Sequence, residues 1–565
     1  MYGDGPKAKK RSLGIASVIF LLAFGLRLLG IGWGAPNAER AYSLHPDEPI
    51  NLLYATRAIE PARLSFTPNF YNYGTLYLTA TRIATDVAQT YGGKNPRSEL
   101  FGPRVLSALA GSLCAALVAA FFARRERWIA SWVSGLSVAG ANGLVVHSRF
   151  ATVDVLATAL LLGGLVVAMS VAEDTDEARE TIRAPLRLGG AAILIGLAAA
   201  CKYNMAVGLV SVAAAAFALP AKRRPSAIML AFGAAAVTFL IGVPGVFLQT
   251  DKFLEDVRYE LTHTATGHGY VFEATAPGVL FHLGNLVLAM GAIPLVLGVA
   301  GLIVAARKGE RWSWIALAFV VPYFLLIGRA EVKFLRYVLP MVPLLAMGFG
   351  SLIQRAIDSP RSGAPGQPKT PGRLALGSLA IFGVLGIGPG GVAQALAMSA
   401  AMAGPDPRDE AGRYLREVAA SGSVGIASDP WFWTPTLYPE VPAPRSVGPS
   451  QYLGQMVRQQ NPRVLRYLPD NARERQDFDP RLLTELRPDF FTESTLEIAH
   501  PERFQRSDVS HNPVAQALKT RYPEFRTLLN REYEIVRIFG QGRPPIVEDL
   551  EYVRPTVYVW KRKTP

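Results

Sequence analysis

The chain is short of cysteine, of charge, and of acid relative to base. Only two cysteines occur in 565 residues, Cys114 and Cys201, both in or at the end of apolar runs. That excludes a disulfide framework, a CxxC redox motif and a cysteine-rich zinc site, and leaves packing as their role. Charged residues make up 18% of the chain, against about 25% in an ordinary soluble domain. Acids number 44 against 58 lysines and arginines, for a net charge of +14. Such a balance can serve nucleic acid, but here the positives gather at the ends of apolar runs, as in cytoplasmic membrane loops. Nucleic acid is therefore not an expected partner. No internal repeat is visible.

Apolar residue is abundant. Half of the chain is hydrophobic and the mean hydropathy is +0.22. Runs of about twenty apolar residues signal membrane-spanning helices. The sequence predicts eleven spans, near 13–32, 103–123, 128–147, 152–172, 188–201, 203–220, 225–248, 285–306, 312–328, 336–354 and 373–400. The basic start (Lys7, Lys9, Lys10, Arg11) and the run from Leu13 to Ile31 resemble a signal peptide. The run is long, contains Arg27 and lacks a small-x-small cleavage site, so it reads as an uncleaved first helix with a cytoplasmic N-terminus.

Residues 73–91 are ambiguous, being moderately apolar and carrying Arg82 and Asp86. If they do not cross, the clusters Arg124-Arg125-Glu126-Arg127, Arg179/Arg183/Arg187, Lys222-Arg223-Arg224, Arg307-Lys308 and Arg355 to Arg373 all lie on the cytoplasmic side. If they cross, all lie outside. The positive-inside rule therefore makes 73–91 interfacial or re-entrant. Outside are then the loop 33–102, the turns at 147–152 and 202–204, the loop 249–284 and the segment 329–336. Residues 402–565 form a second, polar region, predicted as a small extracytoplasmic α/β domain. It has a helix from Arg408 to Ala420 and strands at Ser423–Ala427, Tyr533–Phe539 and Thr556–Trp560. The Pro-rich segment 359–372 reads as an inner linker.

Four groups of outer residues can carry chemistry. His45-Pro46-Asp47-Glu48-Pro49 sets two carboxylates beside a histidine between prolines. A carboxylate there can take a proton from an attacking hydroxyl or hold a divalent cation; a solvated turn has the same composition. His147-Ser148-Arg149 is followed by Asp154 at a helix start, where the acid can also serve only the helix dipole and the arginine only as an interfacial anchor. Lys202-Tyr203 lies in a short turn on the side that lysine avoids, and suits phosphate. Arg329 to Tyr337 is basic again, with Arg336 and Tyr337 opening the next helix. Acids from one loop and bases from three others thus share one membrane level. There, cations can stabilise a departing phosphate and an acid can activate an acceptor. Phe70, Tyr71, Tyr73 and Tyr77 can line a sugar or lipid site, or form an aromatic belt. His263 and His268 can face the same cavity.

The order LHPDEPINLLYATRAIE, FYNYGTLYL, GPRVLSALAG, HSRFATVDVLATALLL, KYN and LRYVLPMVPLL resembles the GT-C membrane glycosyltransferases, in particular the protein O-mannosyltransferase-like set that includes the aminoarabinose transferase of lipid A. The resemblance covers roughly residues 10–355. It implies a polytopic helical GT-C fold and a polyprenyl-phosphate sugar donor. It also implies transfer with inversion to a lipid, glycan or protein acceptor in the cell membrane. It makes Asp47, Glu48 and Asp154 the catalytic acids. It also matches Lys202 and Arg336-Tyr337 to the family's basic donor contacts. From the residues themselves, Arg149 is expected to join them at the donor phosphate, and His45, Tyr71, Tyr73 and His268 to contact substrate. The family's Lys-Pro-Pro stretch is replaced here by Asn69 to Gly74, and no MIR-type repeat is present. No metal is assigned, although the adjacent carboxylates can accept a divalent cation. A transporter or lipid flippase is the alternative; it calls for inverted repeats and broken helices at the midplane. A scaffolding membrane protein would leave the rim of acids and bases without a purpose.

Overall fold

The structure is a computed structural model that describes residues 6–40, 42–358, 371–385, 389–437, 463–467, 476–541 and 548–564. Among them, seven helices are long and apolar enough to cross a membrane: Lys10–Leu28, Pro96–Ala123, Val153–Ala172, Arg183–Cys201, Ala221–Gly242, Arg311–Gly328 and Leu335–Asp358. The helices Gly278–Met290 and Ala292–Arg307 make an eighth if counted as one broken span. Each of the eleven predicted segments contains helix, but several are shorter or more broken than expected. The predicted span 285–306 is bent by 108° at Gly291, whose φ of +94° only glycine adopts without strain. The span 128–147 is broken into the helices Trp128–Ala139 and Asn142–His147, and 203–220 holds only the shorter apolar helix Tyr203–Ala216. The last, 373–400, holds Pro371–Leu385 and Val392–Ala403, separated around a glycine-rich run that is poor helix material.

Local chemistry explains the better-formed helices. Asn95 caps Pro96–Ala123 by accepting from the N–H groups of Arg97 and Ser98, with Pro96 in the first turn and Ser98 closing a capping box. The apolar run then carries the helix to the basic cluster at Arg124. The ambiguous stretch is an amphipathic helix, Thr75–Gly92, and is not among those apolar enough to cross. Tyr77, Leu78, Thr81 and Thr85 are buried on one face, and Arg82 and Asp86 pair along its margin. Gly74 precedes it because the chain passes against Cys201. Its N–H donates to the Cys201 carbonyl at 2.9 Å, and a Cβ here would collide with the Ala200 carbonyl. That contact brings the first outer loop to the turn bearing Lys202.

Residues 407–562 hold the predicted helix, observed as Pro407–Val418, and a small mixed sheet. In chain order its strands are β1 (Val424–Ile426), β2 (Val464–Leu465), β3 (Phe490–Ser494), β4 (Tyr533–Phe539) and β5 (Val557–Arg562). The spatial order is β2-β1-β3-β5-β4. β1 runs parallel to β2 and β3, while β5 pairs antiparallel with β3 and β4. Phe478, Phe491, Phe525 and Trp560 build a core of their own. The Pro-rich linker predicted at 359–372 lies largely outside the described residues.

Several contacts among the described residues tie this region to the membrane part. Arg40 meets Asp409 through two nitrogens, and Trp33 donates to the Val553 carbonyl at 2.7 Å. Arg503 donates to the carbonyls of Val271 and Glu273 in the second outer loop, at 2.6 and 3.0 Å.

Candidate active site

Asp47 is the N-cap residue of the helix Glu48–Ala58, yet its side chain makes no capping bond. The carboxylate instead accepts from Arg336 at 2.6 Å. Arg336 lies in the 3-10 turn Leu335–Met341 that opens the span ending at Asp358. The solvated-turn reading of the HPDEP motif therefore does not hold, since a partner 289 residues away in sequence has captured Asp47.

Asp154 stands in the first turn of Val153–Ala172 and accepts from Lys202 Nζ at 2.5 Å. Lys202 caps the C-terminus of Arg183–Cys201 and lies 4.5 Å from the centre of the Tyr337 ring, a cation–π contact. Four segments far apart in sequence thus bring Asp47, Asp154, Lys202, Arg336 and Tyr337 together. Both ion pairs are partly open: side-chain exposure is 24% for Asp47, 16% for Arg336, 14% for Lys202 and 3% for Asp154.

Tyr73 belongs to this group. Its phenol is raised well above its ordinary value, first by burial and then by the charge of Asp47. Asp154 raises it further, while Arg336 acts against both. His268 sits at the edge: its ring bonds His263 at 2.6 Å and lies 6.0 Å from Phe334, two residues before Arg336.

Other predicted site residues have different work. Glu48 is fully buried and meets Arg104 through both oxygens, at 2.8 and 2.7 Å. It also accepts from the Ala151 N–H at 2.8 Å and from the Ser43 hydroxyl. Burial pushes its carboxyl up, but Arg104 more than offsets this and holds it below the ordinary carboxylate value. All of its oxygen acceptors are thus taken, which leaves Glu48 placed to hold its neighbours rather than to meet a substrate.

The two carboxylates that could have shared a cation turn apart, one to Arg336 and the other to Arg104. Among the described residues no group of three or more His, Cys, Asp or Glu side chains could hold a metal ion.

Arg149 does not reach the site. It donates to the carbonyls of Leu26 and Arg27 at 2.8 and 3.3 Å and to the Ser399 hydroxyl, which fastens the first helix to Val392–Ala403. Tyr71 is buried. Its hydroxyl donates to Gln249 at 2.5 Å and its N–H to Asp256 at 2.7 Å, so it anchors the second outer loop.

His45 is 1% exposed. Its ring lies 4.5 Å from that of Phe150 and 5.4 Å from that of Tyr552. Burial lowers the imidazole below its ordinary value, leaving Nδ1 to accept the Asp47 N–H at 3.2 Å. It is enclosed by these rings and holds the Asp47 backbone.

Sequence reasoning missed Arg104, Asp256 and Tyr552. Arg104 had a signal, a charge inside an apolar run, and such charges mark function or fixed pairs. Tyr552, in a polar stretch far from the motifs, had none.

Residues 65–254 match the family described as dolichyl-phosphate-mannose-protein mannosyltransferase. No curated protein matches the chain. ArnT from Cupriavidus metallidurans in its apo state superposes with a TM-score of 0.52 at 13% identity, covering 97% of this chain and 98% of that one. The apo oligosaccharyltransferase of Archaeoglobus fulgidus superposes with a TM-score of 0.50 at 14% identity, over 89% of this chain and 72% of that one. The fold is the GT-C fold expected from the sequence, and the protein is an integral membrane protein.

Proposed function

We propose that this chain, a GT-C membrane glycosyltransferase by its fold and by its matched segment, moves a sugar from a polyprenyl-phosphate donor to an acceptor hydroxyl. The reaction takes place at the outer face of the membrane, with the N-terminus cytoplasmic and the 402–565 region outside. The matched family is named for a donor of this kind, a dolichyl-phosphate sugar. The observation that carries the reading is the meeting of Asp47–Arg336 and Asp154–Lys202 in one partly open group at the ends of apolar helices.

The donor's lipid tail lies in the bilayer and its phosphate reaches the helix ends. Two cations with carboxylate partners suit a phosphate that arrives with negative charge and leaves with more. Arg336 bonds the phosphate in exchange for Asp47, and Lys202 turns to it while remaining near Asp154. The Asp47 carboxylate, relieved of its partner, takes the proton of the acceptor hydroxyl. The acceptor oxygen bonds the anomeric carbon from the face opposite the phosphate. The carbon–oxygen bond to phosphate breaks, its electron pair leaves with the polyprenyl phosphate, and the configuration inverts. Pentose and hexose donors are equally compatible with these groups.

The test offers purified wild type and Asp47→Asn a panel of radiolabelled polyprenyl-phosphate sugars, with crude membranes as acceptor. Wild type should release or transfer sugar, and Asp47→Asn should lose about 10²- to 10⁴-fold in rate with an unchanged melting temperature. A variant as active as wild type would remove Asp47 as the base. A wild type that neither binds nor turns over any of the panel would count against the donor class.

A further inference from the structure

Beside the two ion pairs lies a histidine that the reaction above does not use. His147 ends the helix Asn142–His147 and is 2% exposed. Among the described residues, neither of its ring nitrogens has a hydrogen-bond partner. Its ring touches Phe150 edge-on, 5.9 Å between centres. The charged groups acting on it are Asp154, Arg336 and Lys202, all members of the open group.

It is not alone. Thr152 Oγ1, two residues before Asp154, and Asn204 Oδ1, two residues after Lys202, are also buried without a partner among the described residues. So is Asn51 Oδ1, whose amide nitrogen donates to the Ala151 carbonyl at 3.1 Å. A buried polar group left unpaired forfeits the bonds it had in water, and folded proteins seldom keep one. Unpaired buried groups also occur elsewhere in the molecule, but these stand beside the two ion pairs, where a bound ligand would supply their bonds.

The donor and acceptor pattern narrows that ligand. An imidazole without a bonded carboxylate, this deeply buried, stays neutral and offers one donor and one acceptor. A hydroxyl offers both as well. A phosphate can only accept, and Arg336 and Lys202 already suit it. The matching ligand is a polyol.

We propose that His147, with Thr152 and Asn204, binds hydroxyls of the donor sugar and sets which sugar is accepted. This rests on the polyprenyl-phosphate reading above and goes further, since it separates a sugar subsite from the phosphate subsite.

The test measures binding to wild type, His147→Ala and His147→Gln in detergent, each checked for an unchanged melting temperature. The probes are sugar-free polyprenyl phosphate and the same lipid phosphate carrying mannose, glucose, galactose or arabinose. Wild type should prefer at least one sugar-bearing probe to the bare phosphate. His147→Ala should lose about tenfold of that preference while binding the bare phosphate as before. His147→Gln, which keeps a donor and an acceptor, should recover part of it. The proposal is overturned if His147→Ala retains the preference, meaning that water satisfies the ring. It is equally overturned if both kinds of probe weaken alike, meaning that the ring only supports the fold. If wild type binds no probe at all, the donor class itself fails, an outcome plainly different from either.

Discussion

Asp47 and Glu48 are neighbours at the start of one helix, and their surroundings are opposite. Asp47 is 24% exposed and held by a partner that is itself partly open. Glu48 is completely enclosed with Arg104, which also donates to the carbonyls of Ile31 and Trp33 at 2.7 and 2.6 Å. The open pair can exchange partners with an incoming anion. The closed pair cannot, and it ties the first helix, the first outer loop and the helix Pro96–Ala123 into one rigid support. Adjacent carboxylates thus divide into an open group, the proposed base, and a closed group that supports it, because a helix turns successive residues to different sides. A chemical motif read along a sequence does not show this division; the partners do.

The sharpest way to break the comparison is at the closed pair. Arg104→Leu strands Glu48 as an uncompensated buried charge, with an expected cost of about 3–5 kcal/mol. The variant should melt well below wild type or fail to accumulate, and activity should follow the folded fraction. At the open pair the pattern reverses. Arg336→Gln should lower turnover by about 10²- to 10³-fold with little change in melting temperature, measured on the same preparation.

A smaller effect is expected where the C-terminal region presses on His45. Tyr552→Ala removes one ring from the group around it, and such ring contacts are worth about 0.5–1.5 kcal/mol beyond their burial. Transfer should slow several-fold through a lower kcat, with KM for the donor nearly constant.

The smallest effect is one of pH. The unfolded chain protonates His45 near its ordinary value of 6.5, whereas the folded chain does so only at lower pH. Its contribution to stability is therefore complete above about 6.5 and is lost as pH falls through the lowered folded value. Protonation also ends the bond from the Asp47 N–H, so the transfer rate should fall on the same acid limb. Melting temperatures of wild type and His45→Asn between about pH 5 and pH 8 check this, the variant being flatter.

Much of this was legible in the sequence because its signals are long or local. Apolar runs marked the membrane helices, and the excess of positive charge on one side argued against a crossing at 73–91, which is amphipathic. Asp47, Asp154, Lys202, Arg336 and Tyr337 were each visible as charge or aromatic residue out of place. What stayed hidden depends on pairing. Nothing in HPDEP shows that Glu48 faces inward to Arg104. Arg149 and Lys202 look equally fit for phosphate until Arg149 is seen bonded to the carbonyls of Leu26 and Arg27. The bend at Gly291 depends on one residue inside a continuous apolar run, which an average over twenty residues cannot register. The order of the strands in the C-terminal sheet was also out of reach, since β2 has only two residues.

The central claim is that the open pairs are a phosphate site whose occupation frees Asp47. It is tested most directly by the affinity for polyprenyl phosphate of wild type, Lys202→Gln, Arg336→Gln and Asp47→Asn. The account predicts that each loss of a cation weakens binding by about 10- to 100-fold. Asp47→Asn should bind at least as tightly as wild type, because it removes the anion that competes for Arg336. Unchanged affinity in both cation variants, or a marked loss in Asp47→Asn, would contradict it.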